Sequence, residues 1–323
     1  MRFLVIGAGS AGRIHCSVLR HSGHEVVVWD KDLRAAHQAA HDFGVEVAEN
    51  GLGEPHDVAV VATPPRTHYA LVSELAERGS VVVCEKPLCL WAEDAWHLAE
   101  EAVVRGWRVY VAESQAYGSG EMDLEAMRER IVSGEFGERV SWWIRGMTTY
   151  RPQPWSLALE HGGGAFMEGG IHIFTVARVL FGESVDWCGR FHRHFNADGP
   201  DTGTAIVDYE TGHQLVLQLG WGTEGCFDGE CTPLYATSGF VGGKKQLAWW
   251  PPDDHEAMWQ RLYHCIETGE PPVVSLADAA GAVADVWLCY KAGGITLPVA
   301  DEARRRIARS CATFRVEALR GDE

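Results

Sequence analysis

The segment VVVCEKPLCL, residues 81–90, runs four apolar residues of strand type straight into Glu85, Lys86 and Pro87. A cation emerging at the end of a buried strand can hold a hydroxyl or carbonyl oxygen and stabilise negative charge that develops there. A second chemical pattern precedes it. Gly7, Gly9 and Gly12, within VIGAGSAGRIH, stand in G-x-G-x-x-G spacing after one strand-type run and open a helical one. Such glycines allow a tight turn and let backbone N–H groups, here those around Ser10 and Ala11, approach a pyrophosphate at the positive end of the helix. The next strand-type run ends in Asp30, about 20 residues on, where a carboxylate binds the ribose hydroxyls of an adenosine. Asp30 would repel a 2′-phosphate, so NAD is the expected cofactor, with Lys31 and Arg34 keeping NADP open.

A third stretch, ATPPRTH at 62–68, ends another apolar run. Ala62 and Thr63 close a strand, and Pro64-Pro65 force an extended turn before a helix. Ligands of parallel sheets lie beyond the carboxyl ends of the strands. Thr63, Pro64 and His68 are therefore expected near the dinucleotide, the plainer reading of His68 being a packed histidine behind a helix cap. Lys86 and Glu85 end the neighbouring strand, on the edge where a nicotinamide ring would sit, although a structural Glu85–Lys86 ion pair would also explain the pair.

The elements that must position these residues read as strand and helix in alternation up to about residue 112. Strands are expected at RFLVIG, EVVVWD, DVAVVAT, SVVVCE and RVYVA, and helices over 10–22, 32–43, 66–78 and 91–105. Short apolar runs without alternation indicate strands covered on both faces, hence a doubly wound parallel sheet. From about 119 the texture changes to a helix at 121–133 and longer strand-type segments, RVSWWIRGMTTY, TAIVDY, QLVLQLGW and QLAWW, with helices over 163–181, 253–267 and 276–292. The fold class expected is α/β: a Rossmann domain over 1–118, then an α+β domain over 119–323 with a large, mostly antiparallel open sheet. The charged stretch at 301–323 reads as a terminal helix with a solvated face. In the doublets Trp142-Trp143 and Trp249-Trp250, one ring of each pair should face a core and the other an interface or ligand.

Composition narrows the partners. A formal net charge of −17 repels a phosphate backbone and argues against nucleic-acid or anionic-membrane partners, while a local basic cluster could still hold one small anion. Met1 leads almost directly into FLVIGAG, which predicts neither a signal peptide nor a transmembrane helix, and a soluble cytoplasmic protein. The 9 cysteines include no C-x-x-C pair, and several, such as Cys84, Cys89 and Cys289, lie in apolar runs typical of reduced thiols. Cys226 and Cys231, five residues apart, are a poor case for zinc or a disulfide.

Gly12-Arg13-Ile14-His15 after the glycine loop, ATPPRTH and above all VVVCEKPL resemble the glucose–fructose oxidoreductase and inositol dehydrogenase (Gfo/Idh/MocA) family. VAESQAY, GGGAFMEGGIH, LYATSGFVGG and ITLPV follow in that family's order, so the likeness spans essentially the whole chain. The resemblance implies NAD(P)-dependent oxidation or reduction of a secondary alcohol on a sugar, nucleotide sugar or cyclitol. It also implies homo-dimers or homo-tetramers packed through the open sheet. It places Lys86 near nicotinamide and substrate, His172 as the catalytic histidine, and Glu168 where an aspartate usually stands. Histidine titrates near neutral pH and suits removal of a hydroxyl proton while hydride leaves the same carbon. Glu168 and His172, four apart, would share a helix face. Gly169 and Gly170 within that helix, each costing about 1 kcal/mol relative to alanine, suggest that something approaches the backbone closely.

Three positions depart from the family pattern. Glu168 is a methylene longer than aspartate, Thr175 replaces an acidic or amide group, and Ala116 replaces an arginine. Other readings are an imine or dihydrodiol-type substrate, an internal-redox lyase or glycosidase, and a non-catalytic NAD-dependent sensor. A metal cluster of Glu160, His161, Glu168 and His172 is the weakest, since the glycine context explains these residues without a metal.

Overall fold

The short apolar runs of the first half become the strands of a sheet buried on both sides. The computed structural model describes residues 1–117, 123–148, 154–194, 198–221, 233–242, 245–247 and 254–296. Cys226, Cys231, Trp249, Trp250 and the charged stretch at 301–323 lie outside the described residues.

The chain opens with β1 (Arg2–Ile6), α1 (Ser10–His21), β2 (Glu25–Trp29), α2 (Leu33–Phe43) and β3 (Glu46–Val47). It continues through β4 (Val58–Val61), α3 (His68–Glu77), β5 (Val81–Glu85), α4 (Ala92–Arg105) and β6 (Val109–Ala112). These strands form one parallel sheet in the order β3-β2-β1-β4-β5-β6. Strand order reverses at β1, so the crevice for a ligand opens beyond the carboxyl ends of β1 and β4. Phe3, Leu4, Val5 and Ile6 are all fully buried, as helices on both faces require. A 3-10 turn over Pro65–Thr67 precedes α3, because Pro65 has no N–H to give and fixes φ at the first turn.

The second half contains α5 (Leu124–Val132), β7 (Ser141–Thr148), α6 (Pro154–Leu157), α7 (Ile171–Phe181), β8 (Ser184–His192), β9 (Thr202–Tyr209) and β10 (Gln214–Gly220). It continues with β11 (Pro233–Gly242), β12 (Lys245–Leu247), α8 (His255–Thr268) and α9 (Leu276–Ala292). Its sheet runs β12-β11-β7-β10-β9-β8. All pairs are antiparallel except β7 with β10, which pair in parallel because α6 and α7 intervene after β7. The helix expected over 163–181 is divided: a π-turn covers Phe166–Gly170 and α7 begins only at Ile171.

Helices α7 and α9 cover one face of this sheet. Trp142 is fully buried there, stacked on Phe240 with centroids 5.5 Å apart, while Trp143, one residue on, is 56% exposed on the other face. Strand register aligns Trp143 with Gly239, Val216, Ile206 and Cys188 across the open face. The two halves meet through α8 and α9: Trp259 packs edge-on against Phe3 at 5.5 Å, and Trp287 stacks on Trp91 and donates its indole N–H to Leu90 O at 2.8 Å.

Candidate active site

The glycine loop is shaped by contacts that admit no side chain. Gly7 adopts φ +107°, and a Cβ there would run into the Ala62 carbonyl; a Cβ on Gly12 would run into Gly7 O. Around Gly9, by contrast, a Cβ would meet nothing within 4 Å. Gly9 is also the N-cap of α1 and supplies no capping side chain, so the first N–H groups of the helix, at Ser10 and Ala11, face open space at its positive end. Asp30 accepts from Ala8 N–H and from Asp32 N–H, each at 2.8 Å. These bonds fix the carboxylate at the end of β2 while leaving it partly exposed, with lone pairs for ribose hydroxyls. An open cradle, an uncapped helix end and a fixed carboxylate fit a dinucleotide without a 2′-phosphate. Lys31 and Arg34 are exposed beside it.

One expected cofactor contact turns inward instead. His68 is fully buried, and its ring nitrogens face Pro87 O at 2.9 Å and Thr63 O at 2.7 Å. It offers no atom to the cleft and ties the β4 loop to the Lys86–Pro87 loop. Burial pushes its pKa below the usual value, while the two carbonyls pull the other way. Thr63 Oγ1 is bonded to Thr67 Oγ1 at 2.7 Å, and Thr67 in turn donates to Pro64 O. Pro64 itself is exposed.

Glu85 is also occupied, though not by the Lys86 ammonium. One carboxylate oxygen meets His15 Nε2 at 2.8 Å and the other accepts Lys86 N–H at 3.1 Å. The indole N–H of Trp259 donates to His15 Nδ1 at 3.0 Å, and an indole can only donate, so Nε2 carries the proton that His15 gives to Glu85. Burial alone would raise the Glu85 carboxyl, but the His15 hydrogen bond and the nearby Lys86 and His255 charges hold it down at about 2.

Lys86 is thereby free to cross the cleft. Its Nζ donates to Glu168 O at 3.0 Å. That carbonyl lies in the π-turn, and such wide turns loosen the i→i−4 ladder and leave carbonyls for other partners. Gly169 and Gly170 do mark a close approach, made by the protein itself: a Cβ on Gly169 would sit 3.1 Å from the Trp221 ring, and one on Gly170 3.1 Å from Leu219 Cδ1. One carboxylate oxygen of Glu168 is buried without a hydrogen-bond partner among the described residues.

His172, in the first turn of α7, does not pair with Glu168. Its Nδ1 hydrogen-bonds Glu113 Oε1, a residue that sequence reasoning did not single out although it lies inside VAESQAY. Glu113 is fully buried at the end of β6 and also accepts Gln115 N–H at 3.2 Å. Register pairs Glu85 with Ala112, so the next residues along, Lys86 and Glu113, leave adjacent strands at the same level. With Nδ1 on a carboxylate, the remaining nitrogen of His172, Nε2, is the one available to a substrate.

The departures from the expected pattern also have places. Thr175 is buried and its hydroxyl donates to Ile171 O at 2.9 Å, so it reads no ligand. Ala116 is buried beside a cavity of about 90 Å³ bordered by Tyr117, Asp123, Glu125 and Arg261. His161 bonds Arg66 Nη1 at 2.9 Å, and among the described residues no group of three or more His, Cys, Asp or Glu side chains could hold a metal ion.

Both halves of the chain are similar to known proteins. Residues 1–113 match the family model described as "Oxidoreductase family, NAD-binding Rossmann fold", and residues 124–240 match the GFO/IDH/MocA C-terminal domain. The chain is 27% identical to scyllo-inositol 2-dehydrogenase (NAD(+)) of Bacillus subtilis (strain 168), over 86% of this chain and 90% of that one. It is 25% identical to the rhizopine catabolism protein MocA of Rhizobium meliloti, over 87% and 92%. In fold it is similar to the WlbA dehydrogenase of Bordetella pertussis, solved with NADH and UDP-GlcNAcA, with a TM-score of 0.76, 20% identity, and coverage of 93% and 99%. The glycine cradle, the lysine at the end of β5 and these matches over both halves lead to one conclusion: the chain belongs to the GFO/IDH/MocA family of NAD-binding oxidoreductases.

Proposed function

We propose that the protein is an NAD(H)-dependent dehydrogenase that oxidises a secondary alcohol of a sugar, nucleotide sugar or cyclitol, or reduces the matching ketone. The observation that carries this reading is that Lys86 Nζ bonds Glu168 O, four residues before His172, while His172 bonds Glu113, with Lys86 and Glu113 leaving adjacent strands at the carboxyl edge of the cofactor sheet. The relative named for scyllo-inositol supports the substrate class, and the WlbA dehydrogenase, solved with a nucleotide sugar, shares the fold. Gly7, Gly9, Gly12 and the N–H groups of Ser10 and Ala11 would hold the pyrophosphate, Asp30 the adenosine ribose, and Thr63 and Pro64 the wall of the crevice. Bound NAD supplies the hydride acceptor.

Lys86 Nζ, held by Glu168 O, polarises the reacting oxygen. His172 Nε2 takes the hydroxyl proton during oxidation and returns it during reduction. Glu168 orients a neighbouring hydroxyl. Residues up to 118 form the cofactor half and the rest the substrate half. The open face of the second sheet, with Trp143, Val216 and Ile206 aligned across it, takes a second copy of the chain, giving a dimer or tetramer.

The test is the A340 trace of purified protein with NAD, then NADP, against inositols, hexoses and nucleotide sugars, beside Lys86→Ala and His172→Ala. Reduced cofactor should accumulate with NAD, and each substitution should lower kcat by about 10²-fold or more with cofactor affinity retained. Tight cofactor binding without turnover on any polyol would overturn the substrate class, and absence of cofactor binding would overturn the whole reading.

A further inference from the structure

We infer that Glu113 is the positioning residue of the proposed acid–base histidine: it fixes the Nδ1–H tautomer of His172, aims Nε2 at the substrate, and balances the charge that His172 acquires during turnover. The inference rests on the dehydrogenase reading above and adds to it a residue from the other half of the chain.

Three observations carry it. Glu113 is fully buried, and its Oε1 receives both His172 Nδ1 and the Gln115 N–H. The second bond caps the 3-10 turn at Ser114–Ala116, so the carboxylate cannot swing away without losing that cap. Its other oxygen has no partner among the described residues, which leaves the histidine as the one side chain on which this carboxylate acts. A carboxylate only accepts, so the proton between the two groups belongs to the imidazole, on Nδ1. A buried carboxylate behind an imidazole holds its tautomer and stabilises the imidazolium that forms.

The step balances as follows. The substrate O–H bond breaks and its proton passes to His172 Nε2. The carbinol C–H bond would break with its electron pair leaving as hydride, for which NAD held by the glycine loop and Asp30 would be the acceptor, and the C–O bond would become a carbonyl. The imidazolium, paired with Glu113, then loses one proton to solvent, so alcohol and NAD give ketone, NADH and a proton. Because Glu113 comes from the end of β6 while His172 comes from α7, the acid–base pair exists only when the two halves are docked.

Glu113→Gln keeps the shape and removes the charge. Its kcat on the best polyol should fall by about 10²–10⁴-fold, with KM and NAD affinity within about threefold of the parent. In a His172→Ala background the same change should cost less than about twofold, since residues acting as a unit are non-additive. A merely structural role would persist in that background, and an equal loss in both would overturn the inference. An independent readout needs no substrate. In a long-range ¹⁵N–¹H spectrum of histidine-labelled protein, at a pH where the ring is neutral, the signal lost in His172→Ala should show protonated Nδ1 and bare Nε2. The opposite tautomer in the parent protein overturns the inference even if every substrate fails, whereas turnover failure with the expected tautomer overturns only the dehydrogenase reading.

Discussion

Gly9 and Gly12 belong to one motif but serve different ends. A methyl on Gly12 would collide with the Gly7 carbonyl, whereas one on Gly9 would project into open space at a backbone φ of −74° that alanine tolerates. Gly12→Ala should therefore lower the melting temperature of the protein without ligand. Gly9→Ala should leave that temperature within about 2 °C, which corresponds to about 1 kcal/mol for a chain of this size, and weaken NAD binding by about tenfold or more, because its methyl fills the dinucleotide's space. Thermal melts and titration of NAD into both variants separate the two. At this scale the sequence was generous where the signature is local. The glycine loop, Asp30 and Lys86 stand in short runs whose spacing carries their geometry. Glu113 stayed hidden because its partner is 59 residues away, and only strand register and the docking of α7 bring them together. His68 looked like a ligand contact from its position in ATPPRTH, and its burial depends on the fold of the following loop.

The element that holds Lys86 in place is β5 with its neighbours α1 and α8, joined by Glu85, His15 and Trp259. Folding lowers the Glu85 carboxyl from an ordinary 4.5 to about 2. Between those values the unfolded chain binds more protons than the folded one, so acid favours unfolding. The stabilisation from this group is complete above about pH 4.5 and is lost progressively as pH falls toward about 2. Urea midpoints measured from pH 6 downward should show this loss, and Glu85→Gln should flatten the slope in that window. The strands of this sheet were legible because both-face burial leaves unbroken apolar runs. The strand β8 was not: it lies at a sheet edge with most side chains half or fully exposed, so no apolar pattern marks it. The π-turn escaped for a different reason, since its glycines record the proximity of Trp221 and Leu219, a tertiary fact.

At the scale of the molecule, the second sheet has one face packed under α7 and α9 and one face open, with Trp143 exposed at its centre and Val241 exposed nearby. A tryptophan more than half exposed, with the half-buried Ile206 in its row and the exposed Val241 nearby, is the kind of apolar patch that marks a protein contact. Trp143→Arg should shift the sedimentation coefficient toward that of a monomer of 35.6 kDa while leaving the circular dichroism spectrum unchanged. An unaltered sedimentation coefficient in an oligomeric parent would place the contact elsewhere. Among the described residues, no helix is long and apolar enough to cross a membrane.

The strand β10 stands between these two regions. Its inward side chains Leu217 and Leu219 press on Gly170, beside Glu168, while Val216 lies in register with Trp143 on the open face. One strand is thus a party wall, shared by the chamber proposed to hold the reacting groups and by the surface proposed to meet a second copy. Only the thickness of a single sheet separates its two sides.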